Sequence, residues 1–278
     1  MKPSSDIAGF AITVPMLTTS SAIRGPLLGS PLLGSLLRMN QPGDTNAAIW
    51  QSDEIAAAWA AEAAARERNH AAQWRFMADL LPFGDRQAFT FLDLGAGTGN
   101  SSRAVLHRHP RSTAILADFS AEMVGAGERE MQPYEGRFRY VTFDLSTGDW
   151  PPAIPEAVDA VVTSLFVHHL PDDRKRDLFA EILTRLVPGG WYLNYDPVRA
   201  TDPVVAATWE RVADLGNPEA ARKRLHPTPQ ERARYENHVR HMIPLDRQLE
   251  YLRSAGFDGI DVYWKRLEYV IYGGRRPR

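Results

Sequence analysis

The run Phe89-Thr-Phe-Leu-Asp-Leu94, followed by Gly95-Ala-Gly97-Thr-Gly99-Asn100, constrains this chain more than any other segment. Its first half is mostly apolar and as long as one buried strand. Three glycines then stand at alternate positions. Glycine enters the left-handed backbone region without penalty and lets another group come close to the main chain. The segment 100–109 beyond them stops before Pro110 and reads as a helix. A strand, a tight glycine turn and a helix in that order open a β-α-β unit.

The same alternation continues. Segments 113–117, 138–143, 158–166 and 191–195 read as further strands, and 121–131 and the stretch after Pro171 as helices, with Pro188-Gly189-Gly190 ending the latter. Segment 158–166 is nearly continuous in apolar residues, as a central parallel strand should be. After residue 200 the rhythm breaks. Residues 202–240 read as helices rich in Arg, Glu and Ala, separated by Asn217-Pro218 and by His226-Pro-Thr-Pro229. Pro244 opens another helix that Gly256 caps. Segments 259–265 and 269–272 are too close in sequence for a crossover helix, so they must pair antiparallel. The expected fold is α/β: a doubly wound, Rossmann-like, seven-stranded and mostly parallel sheet with an antiparallel last strand and a helical lid insertion at about 200–243. Ligands in such sheets bind beyond the carboxyl ends of the strands. That brings the loops at 95–100, 118–120, 144–145, 164–170 and 196–199 around one crevice.

The N-terminal part differs. Residues 1–45 are dense in Ser, Thr, Pro, Gly and Leu, and Pro26-Leu-Leu-Gly-Ser30 recurs as Pro31-Leu-Leu-Gly-Ser35. Glycine and proline at that density break helices, so a tail is expected there and a single domain over 46–278. A first helix is expected over 52–81, with Trp59 on it. The apolar run at 7–17 is too short to span a bilayer, and Asp6 and Pro15 argue against a secretory leader.

Composition excludes several chemistries. The chain has no cysteine, so disulfides, thiolate metal sites and a cysteine nucleophile are ruled out. Its 32 basic and 34 acidic side chains give a formal charge of −2, which supplies no electrostatic reason for a nucleic-acid partner. The expectation is a cytoplasmic protein without nucleic-acid or membrane partners. A homodimer stays open.

Two acids flank the glycine turn. Asp93 stands at the end of the first strand, and Asp118, 21 residues after Gly97, ends the second. A carboxylate at both places suits a cationic amino-acid nucleoside and would repel a pyrophosphate. The spacing Gly-x-Gly-x-Gly also leaves Asn100 where the dinucleotide fingerprint has its last glycine. This constellation resembles motif I of the class I S-adenosylmethionine (SAM) methyltransferases. Val167-His-His-Leu170 followed by Pro171-Asp172, together with Asn237-His238, resembles their small-molecule and quinone-type branch.

The resemblance implies SAM as cofactor. It puts Gly95, Ala96, Gly97 and Gly99 along the methionine part with Asp93 nearby, Asp118 on the ribose, and Phe119 and Met123 on the adenine. Asp144 and Leu145 would meet the adenine edge, and Ser164 and Phe166 would lie beside the sulfonium. Trp59, Tyr195, Trp209, Tyr235 and His238 are candidates to face a small-molecule acceptor. His168 and His169 are the candidate bases, because a histidine changes charge near neutral pH. Asp196, which with Tyr195 ends the fifth strand on the same side, has an orienting role or the bracing of its loop as readings. No metal site is expected, although His238 and His241 stand three apart with Glu210 or Asp246 as a conceivable third ligand. The expected activity is methyl transfer to O, N or C of a natural-product or quinone-like metabolite. The rivals are a SAM-binding protein that does not methylate, an NAD-dependent oxidoreductase and a tRNA-modifying enzyme.

Overall fold

The computed structural model describes residues 63–278. The expectations for the tail at 1–45, for the start of the first helix and for Trp59 lie outside the described residues. The first described element is helix α1 (Ala63–Leu80). Strand β1 (Phe89–Leu94), helix α2 (Asn100–Arg108), strand β2 (Ser112–Asp118), helix α3 (Ala121–Glu130) and strand β3 (Phe138–Thr142) follow. Strand β4 (Val158–Ser164), helix α4 (Asp172–Arg185) and strand β5 (Leu186–Pro197) complete the alternating part. Helices α5 (Pro203–Gly216), α6 (Pro218–Leu225) and α7 (Pro229–Arg240) follow β5, where the helical insertion is expected. Helix α8 (Leu245–Ala255) and strands β6 (Asp258–Arg266) and β7 (Tyr269–Arg275) end the chain.

The seven strands run in the order β3-β2-β1-β4-β5-β7-β6. The first five are parallel, and β7 pairs antiparallel with both β5 and β6. Strand order reverses between β1 and β4, where a doubly wound sheet opens its ligand crevice. Register places the strand ends in line there: Leu94 lies opposite Ala117 and Thr163, Asp118 opposite Thr142, and Ser164 opposite Tyr195.

Side chains alternate across the sheet. Phe89 and Phe91 join Trp74 and Met77 of α1, Leu81 just past it, and Val105 and Leu106 of α2 on one face. Leu92 and Leu94 join Leu178, Phe179 and Ile182 of α4 and Leu252 of α8 on the other. Asp93 shares the parity of Phe91 and is therefore carried to the α1–α2 side.

Two local expectations are corrected. Pro188-Gly189-Gly190 does not end a helix: α4 stops at Arg185, Leu186 pairs with Val158, and the three residues form an irregularity within β5. The reason is the neighbouring strand. The Gly189 amide donates to the Arg276 carbonyl and the Arg276 amide to Gly190, so the segment is held in the sheet despite its composition. Nor does the fourth strand reach residue 166. The strand stops at Ser164, Leu165 turns the chain at φ 52°, and the histidines sit in a 3₁₀ turn, Val167–His169. Among the described residues, no helix is long and apolar enough to cross a membrane.

Candidate active site

A crevice of about 770 Å³, counted to its open mouth, runs along the carboxyl ends of β1, β2 and β4. Gly95 and Gly97 form its floor at φ 68° and 53°. An added Cβ at Gly95 would lie 2.2 Å from Phe166 Cγ, and one at Gly97 would lie 3.1 Å from Met123 Cε. Glycine is therefore required at Gly95 both for its angle and for the ring that covers it.

The amides of this loop are committed within the protein. Gly95 and Ala96 both donate to the Ala117 carbonyl at 2.9 and 3.1 Å, Gly99 donates to Ala96, and Gly97 donates to Asp118 Oδ2 at 2.7 Å. A phosphate cradle needs such N–H groups free to converge on an anion. This loop offers none of those four, which argues against a pyrophosphate-bearing cofactor.

The two acids separate in role. Asp118 lines the crevice. Oδ2 accepts from Gly97 and Oδ1 from the Ser120 amide at 3.0 Å, so the carboxylate ties the glycine loop to the start of α3 and keeps lone pairs toward the opening. Burial raises its pKa, with the backbone donors opposing. Asp93 is fully buried, and its Oδ2 accepts from Ser101 Oγ at 2.6 Å and Ser102 Oγ at 2.7 Å, at the start of α2. It braces the helix behind the loop and is not part of the crevice wall. Burial pushes its carboxyl up to about 6.

Beside Asp118 lies an apolar slot of Phe119, Met123, Phe143 and Leu145. Gly97, Thr98, Asn100 and Ser101 close the opposite side. Asp144, adjacent to the slot, turns its Oδ1 to the Ser146 amide at 2.9 Å and does not line the crevice. The residues present fit SAM. The floor admits a close-lying chain, one carboxylate is placed for ribose hydroxyls, and the slot is flat and apolar enough for adenine.

At the other end stand Ser164, Leu165, Phe166 and His169, with Trp74 of α1 above them. Trp74 Nε1 donates to Ser164 Oγ at 2.6 Å and fixes that corner. His169 is 8% exposed, and burial holds its pKa well below the ordinary imidazole value. Its ring lies 3.9 Å from that of His168. His168 is buried behind it. Nδ1 is joined to Asp196 Oδ1 at 2.7 Å, the His168 amide donates to Asp196 Oδ2 at 2.7 Å, and Nε2 has no hydrogen-bond partner among the described residues. Burial raises the pKa of Asp196 and lowers that of His168. His238 of α7 faces the same cluster, 4.7 Å from the His168 ring.

The remaining acceptor-side candidates scatter. Tyr195 is buried in the sheet, with its hydroxyl 2.7 Å from His70 Nδ1. Trp209 lies under Lys265 Nζ at 4.1 Å, and Tyr235 is 57% exposed. None of these three lines the crevice. Sequence reasoning missed Phe143, one residue before the expected Asp144-Leu145 pair, and Trp74, which the helical period assigns to the core. Among the described residues, no group of three or more His, Asp or Glu side chains is placed to hold a metal ion.

A methyltransferase-domain family model matches residues 91–190, the stretch from β1 into β5. Trans-aconitate 2-methyltransferase of Azoarcus sp. (strain BH72) is 29% identical over 77% of this chain and 77% of its own. The N,N-dimethyltransferase OxyT of Streptomyces rimosus is 35% identical over 46% of this chain, which spans 36% of that relative. In structure, an O-methyltransferase family protein from Burkholderia thailandensis aligns with a TM-score of 0.64 at 19% identity, over 89% of this chain and 68% of that one. Human N-acetylserotonin methyltransferase in complex with SAM aligns at 0.57 and 16% identity, over 84% of this chain and 59% of that one. The glycine floor and the strand order around it agree with these matches: residues 91–190 carry a methyltransferase domain, and the chain is similar to SAM-dependent methyltransferases of small molecules.

Proposed function

We propose that the crevice transfers a methyl group to an oxygen or nitrogen that must shed a proton, on a natural-product or quinone-like metabolite. The observation that carries this reading is the neutral His169 at one end of a crevice whose other end is built around Asp118. When bound, SAM supplies a methyl already activated by its sulfonium. The protein's part is to hold, to dry and to take up the proton.

Asp118 accepts the ribose hydroxyls, and Phe119, Met123, Phe143 and Leu145 keep water from the adenine. Ser164 and Phe166, pinned by Trp74, shape the transfer end. His169 takes the acceptor's proton. His168, joined to Asp196 at 2.7 Å, stands behind it and holds the turn in place. Helices α5 to α7 form the lid over the acceptor, with His238 on its inner side.

The relatives named above act, by their names, on a carboxylic acid and on an amine. A carboxylate acceptor needs no base, so the histidine turn favours a hydroxyl or a protonated amine. A carbon acceptor with an acidic hydrogen is served by the same groups. A cytoplasmic location fits the reading, because SAM is an intracellular metabolite.

The test is incubation with methyl-labelled SAM and a cell extract, followed by identification of the metabolite that gains label. His169→Gln should then lower turnover by roughly 10²-fold or more while leaving S-adenosylhomocysteine binding intact. No binding of either nucleoside at sub-millimolar concentration in calorimetry would overturn the reading, and normal turnover in both His168→Gln and His169→Gln would remove the base.

A further inference from the structure

Lys175 of α4 is wholly buried, and among the described residues no carboxylate forms an ion pair with it. Its Nζ donates to two main-chain carbonyls, those of Leu170 and His241, each at 2.5 Å. Leu170 ends the turn that carries His168 and His169. His241 is the C-cap of α7. One ammonium thus joins the histidine turn to the root of the helical insertion.

The choice of a cation is physically apt. The carboxyl end of a helix gathers unsatisfied carbonyls and a partial negative charge, and an ammonium there satisfies both. Burial lowers the pKa of Lys175 to about 8, with Asp196 and Asp172 opposing, so the group remains mostly charged at neutral pH. Two further ties act on the same end of α7. Arg199, just past β5, donates from Nη2 to the Val239 carbonyl at 3.1 Å and from its amide to Ile243 at 3.1 Å. The His238 ring meets the His168 ring edge-on. By contrast, α5 has no buried residue, and Val204 and Leu215 on it are 74% and 73% exposed. The insertion is therefore anchored at its carboxyl end and loose at its amino end.

We propose that Lys175 is a positioning residue for methyl transfer: it clamps the root of α7 to the histidine turn, so that the lid's inner wall and the base keep one fixed geometry. The clamp itself follows from contacts alone, and its kinetic consequence rests on the methyltransferase reading. Among the described residues, no other side chain is hydrogen-bonded to both carbonyls. An apolar residue in its place would leave two buried acceptors unsatisfied and the helix end free to lift.

Hydrogen exchange followed by mass spectrometry on the full chain reads the clamp directly. In the wild type, amides at 237–241 should exchange about 100-fold more slowly than those at 204–215, since local stability follows buried contacts. In Lys175→Met, protection at 237–241 should fall by about tenfold or more, with α2 unchanged and S-adenosylhomocysteine affinity kept within about threefold. For the acceptor identified by label transfer, KM should rise by about tenfold with a smaller change in kcat, and Lys175→Gln, which keeps N–H donors, should recover part of it.

Equal exchange at 237–241 and 204–215 in the wild type would overturn the proposal, as would unchanged protection in Lys175→Met. A parallel loss of cofactor affinity would do the same, since it would make Lys175 a brace of the whole fold. If Lys175→Met does not fold, the wild-type comparison and Lys175→Gln decide. Failure to bind SAM would overturn the methyltransferase reading and leave the exchange result standing.

Discussion

Replacement of Asp118 by Asn tests the cofactor end of the crevice with the least disturbance of shape. The carboxylate accepts Gly97 N–H at 2.7 Å on one oxygen and Ser120 N–H at 3.0 Å on the other, and the side chain is only 8% exposed. An amide has one acceptor oxygen. One of the two N–H groups then faces an NH₂, and any ribose hydroxyl that donated to that oxygen loses its partner. A hydrogen bond to a charged group contributes about 1.5–3 kcal/mol. Loss of one on the ribose should weaken S-adenosylhomocysteine binding by about 10- to 150-fold. Isothermal calorimetry on wild type, Asp118→Asn and Asp118→Ala gives the first reading. The sharper one compares each protein with S-adenosylhomocysteine and its 2′-deoxy analogue. The wild type should discriminate between them, and both variants should lose most of that discrimination, because the coupling term isolates the pair. Full discrimination in Asp118→Asn would refute the placement of the ribose, even if overall affinity had fallen through disturbance of the loop.

Three further outcomes are expected. Asp93 has its pKa raised by burial to about 6, so the stability linked to its protonation is full below about pH 4 and lost as pH rises through 6. Asp93→Asn keeps an acceptor for Ser101 and Ser102, and its melting temperature relative to wild type should therefore climb between pH 4.5 and 7.5; a flat difference in thermal-shift scans would contradict this. Gly95→Ala combines about 1–2 kcal/mol of left-handed backbone penalty with a Cβ 2.2 Å from Phe166 Cγ. It should abolish measurable S-adenosylhomocysteine binding, and Phe166→Ala in the same chain should restore a part, as calorimetry would show. Trp74→Phe removes the donor to Ser164 Oγ and should cost about 0.5–1.5 kcal/mol of unfolding free energy in urea titration, with cofactor affinity changed less than in Asp118→Asn.

The parts of this molecule legible from sequence are those written in local periodicity. Apolar runs of strand length, helices ended by Pro110 and Gly256, and glycines at alternate positions fix the sheet and the crevice floor, and Asp118, Phe119, Met123 and Leu145 follow because they sit next to strand ends. What could not be read depends on contacts between distant segments. Trp74 meets Ser164 across 90 residues, and Asp196 meets His168 across 28. Asp93 borders the glycines, and sequence alone places it near a ligand. Its parity with Phe91 sends it to the other side of the loop, where the rotation of α2 brings two serines to it. Pro188-Gly-Gly reads as a stop by composition, yet pairing with Arg276 holds it within a strand. The helices of the insertion are polar or weakly patterned, so no period indicated that Trp209 would lie under Lys265 and Tyr235 would face outward.

Helix α5 carries none of the molecule's core. Substitutions along it therefore leave the folding free energy nearly untouched, whereas any change at the far end of the insertion disturbs Lys175, Arg199 and the imidazoles together. Such a helix is free to change one residue at a time while the crevice beneath keeps its shape. For the protein engineer, α5 is the place to build a library, and α7 the place to leave alone.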